Sequence, residues 1–315
     1  MKQLLLILFV CTGLLLKAEI KADIIVAQDG SGDFNTVQDA FLSVPDYRKN
    51  ETVILIKKGI YKEKLILPST KVNVTIIGED VNSTVITYDD YASKLTKFGE
   101  GTGTSGSSGF FIFGDNFTAK NITFENSSGD VGQAVAVRVD GDKVRFFNCR
   151  FLGNQDTLYP HGINSRQYYK NCYIEGTVDF IFGSSTALFD DCTIFCKRGG
   201  YVTAASTGKD TKYGFIFRNC KIEGSAPTGS VYLGRPWRND AKTVYINCEM
   251  SAVINPEGWH DWGKQEAHQT TFYAEYNSSG EGAHPNERVN WMHHLTKDEI
   301  QNMTYEKIFE IDAKN

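Results

Sequence analysis

The sequence is poor in the features that most hydrolytic and nucleotide chemistry relies on. It has no Gly-x-Ser-x-Gly elbow and no phosphate loop ending in Gly-Lys-Ser/Thr, so serine-esterase and nucleotide-phosphate chemistry have no motif to rest on. Its six histidines, His161, His260, His268, His284, His293 and His294, show no metal-ligand spacing, and the adjacent pair His293–His294 would face opposite sides of a strand or helix. Positive charge is not in excess: 33 Lys and Arg stand against 38 Asp and Glu, a formal net charge of −5, and that balance offers no footprint for nucleic acid.

Long apolar runs are also missing. The stretch from Leu4 to Leu16 falls short of the roughly 20 residues a membrane span needs. With Lys2 before it and Ala18 and Ala22 after it, residues 1–22 read as an export signal, which predicts a secreted or periplasmic protein. Cys11 within that run follows Phe9-Val10 rather than small residues, which argues against a lipid anchor. Removal of 1–22 takes away Lys2, Lys17, Lys21 and Glu19 and moves the charge from −5 to −7. No linker divides the remainder, so residues 23–315 are expected to form one domain. The richest Gly/Ser stretch, Gly99 to Gly109, reads as a loop.

What the chain does contain is a repeated phrase. It runs Phe146-Phe147-Asn148-Cys149, Tyr169-Lys170-Asn171-Cys172, Phe189-Asp190-Asp191-Cys192, Phe217-Arg218-Asn219-Cys220 and Tyr245-Ile246-Asn247-Cys248, with cysteine spacings of 23, 20, 28 and 28. A period in the twenties, built of short β-type runs and Asn/Gly turns, indicates a solenoid with one coil per repeat. The leucine ladder of leucine-rich repeats is lacking. The expected fold is therefore all-β, a single-stranded right-handed parallel β-helix. Five of the six cysteines beyond residue 22 hold the repeated position, so stacked free thiols compete with disulfides; Cys192 or Cys196 could pair with a neighbour.

Asp33 to Val44 reads as a short amphipathic helix capping the open end of the stack, and strands are expected at Thr52–Ile56, Leu65–Leu67, Val72–Ile77 and Val85–Tyr88. Glu63 is expected to partner a nearby base. Thr296 with Glu299 forms a capping box opening a helix to about Phe309, packed outside the stack. Seven Asn-x-Ser/Thr sequons (Asn73, Asn82, Asn116, Asn121, Asn126, Asn277 and Asn302) read mostly as turn residues.

Two acids hold matched places in the repeat: Asp156 and Asp179 each lie seven residues after a cysteine, 23 residues apart. Gln133 and Gln155 are 22 apart. Residues one period apart stack at about 4.8 Å, so two carboxylates and two amides should meet on one face. A ladder of turn residues is the bland alternative. The apolar company of Val135, Val137, Phe180, Ile181 and Phe182 favours function, because partly buried acids are costly unless paired or protonated. Carboxylates acting as nucleophile and as general acid suit acyl transfer, and paired carboxylates also suit glycoside hydrolysis. The amides favour acyl transfer, since neutral donors fit the oxyanion that an ester develops and an acetal lacks.

Five segments resemble pectin methylesterases (pectinesterases): Gly59-x-Tyr61-x-Glu63, Gln133-Ala-Val-Ala-Val-Arg138, Gly153-x-Gln155-Asp156-Thr157-Leu158, Gly176-Thr-Val-Asp179-Phe-Ile-Phe-Gly183 and Tyr232-Leu-Gly-Arg235-Pro-Trp237. They stand in the family's order across nearly all of residues 23–310. The resemblance implies hydrolysis of the methyl esters of homogalacturonan (pectin) with release of methanol, by a monomer without metal or organic cofactor. It implies Asp179 as nucleophile, Asp156 as general acid and then base, Gln133 and Gln155 as oxyanion donors, and Arg235 orienting Asp179. Asp156 would then hold the raised pKa of the pair.

Trp237 resembles the family's sugar-contacting aromatic. Thr104, Tyr159 and Phe182 are further substrate-contact candidates, although strand alternation would turn Phe182 away from Asp179 unless the chain bends at Gly183. The loop between Tyr201 and Tyr213 is read as short. Two other readings remain: a pectin-active lyase or glycosidase on the same scaffold, and a non-catalytic polysaccharide-binding solenoid.

Overall fold

The computed structural model describes residues 21–309. The expected export signal, residues 1–22, falls almost wholly outside the described residues. The chain winds as a parallel β-helix, as the repeat predicts. One sheet of eleven strands runs from Ile24–Val26 to His293–His294 up one side of the stack. A second sheet of thirteen strands forms the rest of each coil. In two coils, strands Tyr173–Gly183 and Thr193–Ala205 run through without interruption, and they join the two stripes of this second sheet. The chain from Tyr201 to Ala205 is therefore strand, and the loop is confined to residues 206–214, ahead of strand Phe215–Arg218.

The repeated phrase explains the stacking. Its aromatic position gives Phe146, Tyr169, Phe189, Phe217 and Tyr245, which lie face to face inside the helix at centroid distances of 5.0, 4.6, 4.5 and 4.5 Å. Offset aromatic stacking adds to the area each ring buries. Two residues on, Asn148, Asn171, Asp191, Asn219 and Asn247 all take a left-handed backbone, φ 51 to 54°. Asn and Asp tolerate that conformation better than other non-glycine residues. The next residue, cysteine, then points inward. Each thiol donates to a carbonyl of the preceding coil, as from Cys192 to Tyr169 O at 3.3 Å. All six cysteines among the described residues are free and buried, including Cys192 and Cys196, for which pairing had been an alternative.

The N-terminal end is closed by α1, Val37–Ser43, whose Val37, Ala40 and Phe41 are buried; Phe41 stacks on Phe110 at 5.5 Å. The helix is shorter than its apolar pattern because Thr36 caps it, accepting from Asp39 N. Among the described residues Glu63 pairs with no base. Its carboxylate accepts the backbone N–H groups of Val37 and Gln38, at 2.9 and 3.0 Å, filling donors that a helix start leaves open. The Gly/Ser stretch carries one helical turn, α2, Gly103–Gly106.

At the other end the capping box of Thr296 and Glu299 opens α3, Lys297–Gln301. The single helix expected to Phe309 is broken, because the Thr304 hydroxyl accepts Lys307 N and starts α4, Tyr305–Phe309. Met303, Ile308 and Phe309 cover Tyr168, Leu188, Ile216 and Val244 on the outer face of the eleven-stranded sheet. Among the described residues, no helix is long and apolar enough to cross a membrane.

Candidate active site

The two acids belong to consecutive coils. Asp156 lies between strands Arg150–Leu152 and Leu158–Pro160, and its N–H donates to Val178 O at 3.1 Å. Asp179 comes directly after, within Tyr173–Gly183. Both have left-handed backbones, φ 65 and 51°. Asp179 sits in a bulge: between the pairs Val178–Tyr201 and Ile181–Thr203, Asp179 and Phe180 together oppose the single residue Val202. A bulge re-aims side chains. Here Phe180 turns into the core, while Asp179 and Phe182 face one cleft. The change of phase comes at Asp179 itself, before the bend expected at Gly183, although Gly183 is also left-handed at φ 136°.

The expected companions are present. Gln133 and Gln155 are bridged in parallel register on successive coils. Gln133 is exposed and Gln155 half-buried, and neither side-chain amide is engaged in a hydrogen bond among the described residues. Arg235 arrives from a later coil, just past strand Val231–Gly234. Its Nε donates to Asp179 Oδ1 at 2.8 Å and its Nη2 to Oδ2 at 2.7 Å. A two-point, charge-assisted contact of this kind fixes orientation as well as charge.

Burial raises both carboxyl pKa values, but unequally. Asp156 is 7% exposed, and desolvation, reinforced by the charge of Asp179, pushes it well above the usual carboxylate value; the Arg235 charge offsets this only in part. Asp179 is 6% exposed, and burial raises it more modestly because the hydrogen bonds and charge of Arg235 pull it back. The pair is thus set for one proton to reside on Asp156 while Asp179 carries the charge.

The cleft beside them holds about 500 Å³. Its floor includes Tyr159, Phe182 and Ala204, which with the fully buried Val135 form an apolar ladder, one residue per coil and separate from the interior core. Tyr159 and Phe182 stack at 4.1 Å, and Trp237 lies 6.3 and 5.9 Å from them. Thr104 of α2 borders the same cleft, so all nine residues singled out in the sequence line it. Val137 and Ile181, by contrast, belong to the interior core.

Two aromatic residues were not anticipated. The guanidinium of Arg235 is sandwiched between Tyr201 and Trp262, with ring centroids at 3.8 and 3.7 Å. Trp262 is 27 positions after Arg235, close to the coil period, and that spacing was the available signal. Thr102, Gly103 and Ser105 also line the cleft, from a loop whose glycines gave no register.

A sequence model of the pectinesterase family matches residues 23–312. "Pectinesterase 31" of Arabidopsis thaliana is 45% identical over 280 residues, covering 87% of this chain and 88% of that protein. Among solved structures, pectin methylesterase from carrot aligns with TM-score 0.84 and 35% identity, over 93% of this chain and 94% of its own. A pectin methylesterase in complex with hexasaccharide VII aligns with TM-score 0.79 and 30% identity, over 92% of this chain and 97% of its own.

Proposed function

This chain belongs to the pectinesterase family, and from that premise we propose that Asp179 and Asp156 divide the hydrolysis of pectin methyl esters as nucleophile and as general acid–base. The reaction itself, removal of methyl esters from pectin by a carboxylic ester hydrolase, comes with membership of the family. The observation that carries the division of labour is that Arg235 engages both oxygens of Asp179, whereas Asp156 has its pKa raised well above the usual value by burial and by the charge of Asp179.

In this reading Asp179 attacks the ester carbonyl carbon. The carbonyl π bond opens to a tetrahedral oxyanion, held by the side-chain N–H donors of Gln133 and Gln155. Collapse breaks the bond to the methoxy oxygen, Asp156 gives that oxygen its proton, and methanol leaves an Asp179 anhydride. Asp156, now a carboxylate, removes a proton from water as the water attacks the substrate acyl carbon. Asp179 departs as carboxylate and the galacturonate acid is released. Tyr159, Phe182 and Trp237 offer flat apolar surface to pyranose rings, and Thr104 offers a hydroxyl at the rim. We place the enzyme, with residues 1–22 as its export signal, outside the cytoplasm and acting as a monomer.

The test is methanol release from highly methylated pectin by the purified protein, with EDTA present, beside Asp179→Asn. Release by the wild type and a loss of about 10⁴-fold or more in the variant are expected. New reducing ends or unsaturated products without methanol would instead identify a glycosidase or a lyase.

A further inference from the structure

We propose that His260 is a positioning residue for this reaction, acting on Asp179 through the aromatic sandwich around Arg235. The proposal rests on Asp179 being the nucleophile. It starts from a turn with an unusual member. Trp262 has φ 57°, a left-handed conformation that is uncommon for a bulky side chain and persists only where the surroundings impose it. What imposes it is visible in the hydrogen bonds. The Trp262 N–H donates to His260 Nδ1 at 2.9 Å, and the Gly263 N–H donates to Asp261 Oδ1 at 2.7 Å. The His260 N–H in turn donates to Gly234 O, immediately before Arg235, at 3.1 Å. The turn is thereby fixed to the coil that presents Arg235.

His260 touches the other half of the sandwich as well. Its ring stands edge-on to Tyr201 at 5.5 Å and to Tyr232 at 5.3 Å, and those two tyrosines stack on each other at 5.6 Å. One imidazole therefore sets Trp262 on one face of the Arg235 guanidinium through a hydrogen bond, and Tyr201 on the other through ring contact. The two rings hold the plane in which the guanidinium presents its fork to Asp179. Because Nδ1 accepts a backbone N–H, it carries no proton; the ring proton resides on Nε2.

Loss of the acceptor leaves the Trp262 N–H unpaired and lets the turn relax from its left-handed backbone. Arg235 then loses one wall, and its two-point hold on Asp179 loosens. Trp262 itself borders the cleft, but the acid and the floor of Tyr159, Phe182 and Ala204 remain, so the loss falls chiefly on the chemical step. Small misplacements of reacting groups cost on the order of tenfold to a hundredfold in rate.

The experiment compares His260→Ala, His260→Asn and His260→Gln with the wild type and Asp179→Asn, by kcat and KM on methylated pectin and by melting temperature. Asn carries its side-chain oxygen where Nδ1 stands; Gln does not. Expected are a fall in kcat of about tenfold or more in His260→Ala and His260→Gln with KM little changed, and recovery of most of it in His260→Asn. Equal kcat in the Ala and Asn variants would overturn the proposal, as would a loss confined to KM. Should His260→Ala fail to fold, the Asn–Gln comparison decides alone. Wild-type turnover in Asp179→Asn would overturn the nucleophile assignment instead. An inactive Asp179→Asn beside an unaffected His260→Ala would overturn only the positioning role.

Discussion

Arg235 makes a two-point hydrogen bond to Asp179, at 2.8 and 2.7 Å, and none to Asp156, although both acids are buried in one cleft and lie on consecutive coils. That asymmetry has a consequence for stability as well as for catalysis, because an acid whose pKa is raised in the folded state opposes folding once it ionises.

For Asp156 the folded pKa is raised well above its ordinary value, by burial first and by Asp179 second. The folded state therefore holds the proton more tightly than the unfolded chain, and stability falls as pH rises from the unfolded value through the folded one. Above both values the full cost of a buried charge is present; below both, Asp156 is neutral in either state. Asp156→Asn removes that charge and keeps the shape. It should melt a few degrees above the wild type at neutral pH, with the difference shrinking toward zero in acid, while methanol release is lost. Calorimetry across pH checks this. A neutral-pH melting temperature at or below that of the wild type would contradict it.

Arg235→Lys keeps the charge and removes both the fork and the flat face that Tyr201 and Trp262 enclose. Burial would then act on Asp179 with less opposition, so its pKa should rise further. Activity requires Asp179 ionised, so the acidic limb of the pH–rate profile should move to higher pH, and kcat at the optimum should fall about a hundredfold. A profile lowered without displacement of that limb would mean that Arg235 holds position but not charge.

Much of this was legible in the sequence because a coil period is a linear signal. Equal offsets from Cys149 and Cys172 put Asp156 and Asp179 on one face, and the Asn-Cys phrase marked the left-handed turns before inward thiols. What was not legible depends on departures from period or on contacts between distant coils. Phe182 joins Asp179 because a bulge inserts a residue, which alternation cannot foresee. The Tyr201–Arg235–Trp262 sandwich draws on three coils of unequal length, and small slips in register would separate them. Glu63 found helix N–H groups rather than a base because α1 docks over the end of the stack. Thr304 splits the last helix by offering its own cap.

The aromatic ladder should matter for stability and not for turnover. Phe189 lies between Tyr169 at 4.6 Å and Phe217 at 4.5 Å, in a strand of the eleven-stranded sheet and away from the cleft. Phe189→Ala should cost about 3–5 kcal/mol of unfolding free energy through a cavity and two lost stacks. Denaturant titration measures the cost. The kcat of the folded fraction should match the wild type, and a proportionate loss of kcat would show that strain in the stack reaches the cleft.

Gly176 tests whether the bulge or Arg235 sets the place of Asp179. A Cβ at Gly176 would lie 2.2 Å from Phe180 Cβ and 2.6 Å from Asn154 O. Neither neighbour yields readily: Phe180 is fully buried in the core, and Asn154 O accepts both Thr177 N and the Thr157 hydroxyl. In Gly176→Ala the chain from 176 to 180 must therefore shift, and Asp179 shifts with it. Overpacking of this kind costs about 1–3 kcal/mol, which a stack of many coils can tolerate, whereas kcat should fall about tenfold or more because the carboxylate is displaced. If the variant folds and keeps wild-type kcat, the two-point hold of Arg235 is sufficient to place Asp179 and the bulge only accommodates it. If kcat falls while the melting temperature barely changes, the backbone at Gly176 is the element that aims the nucleophile.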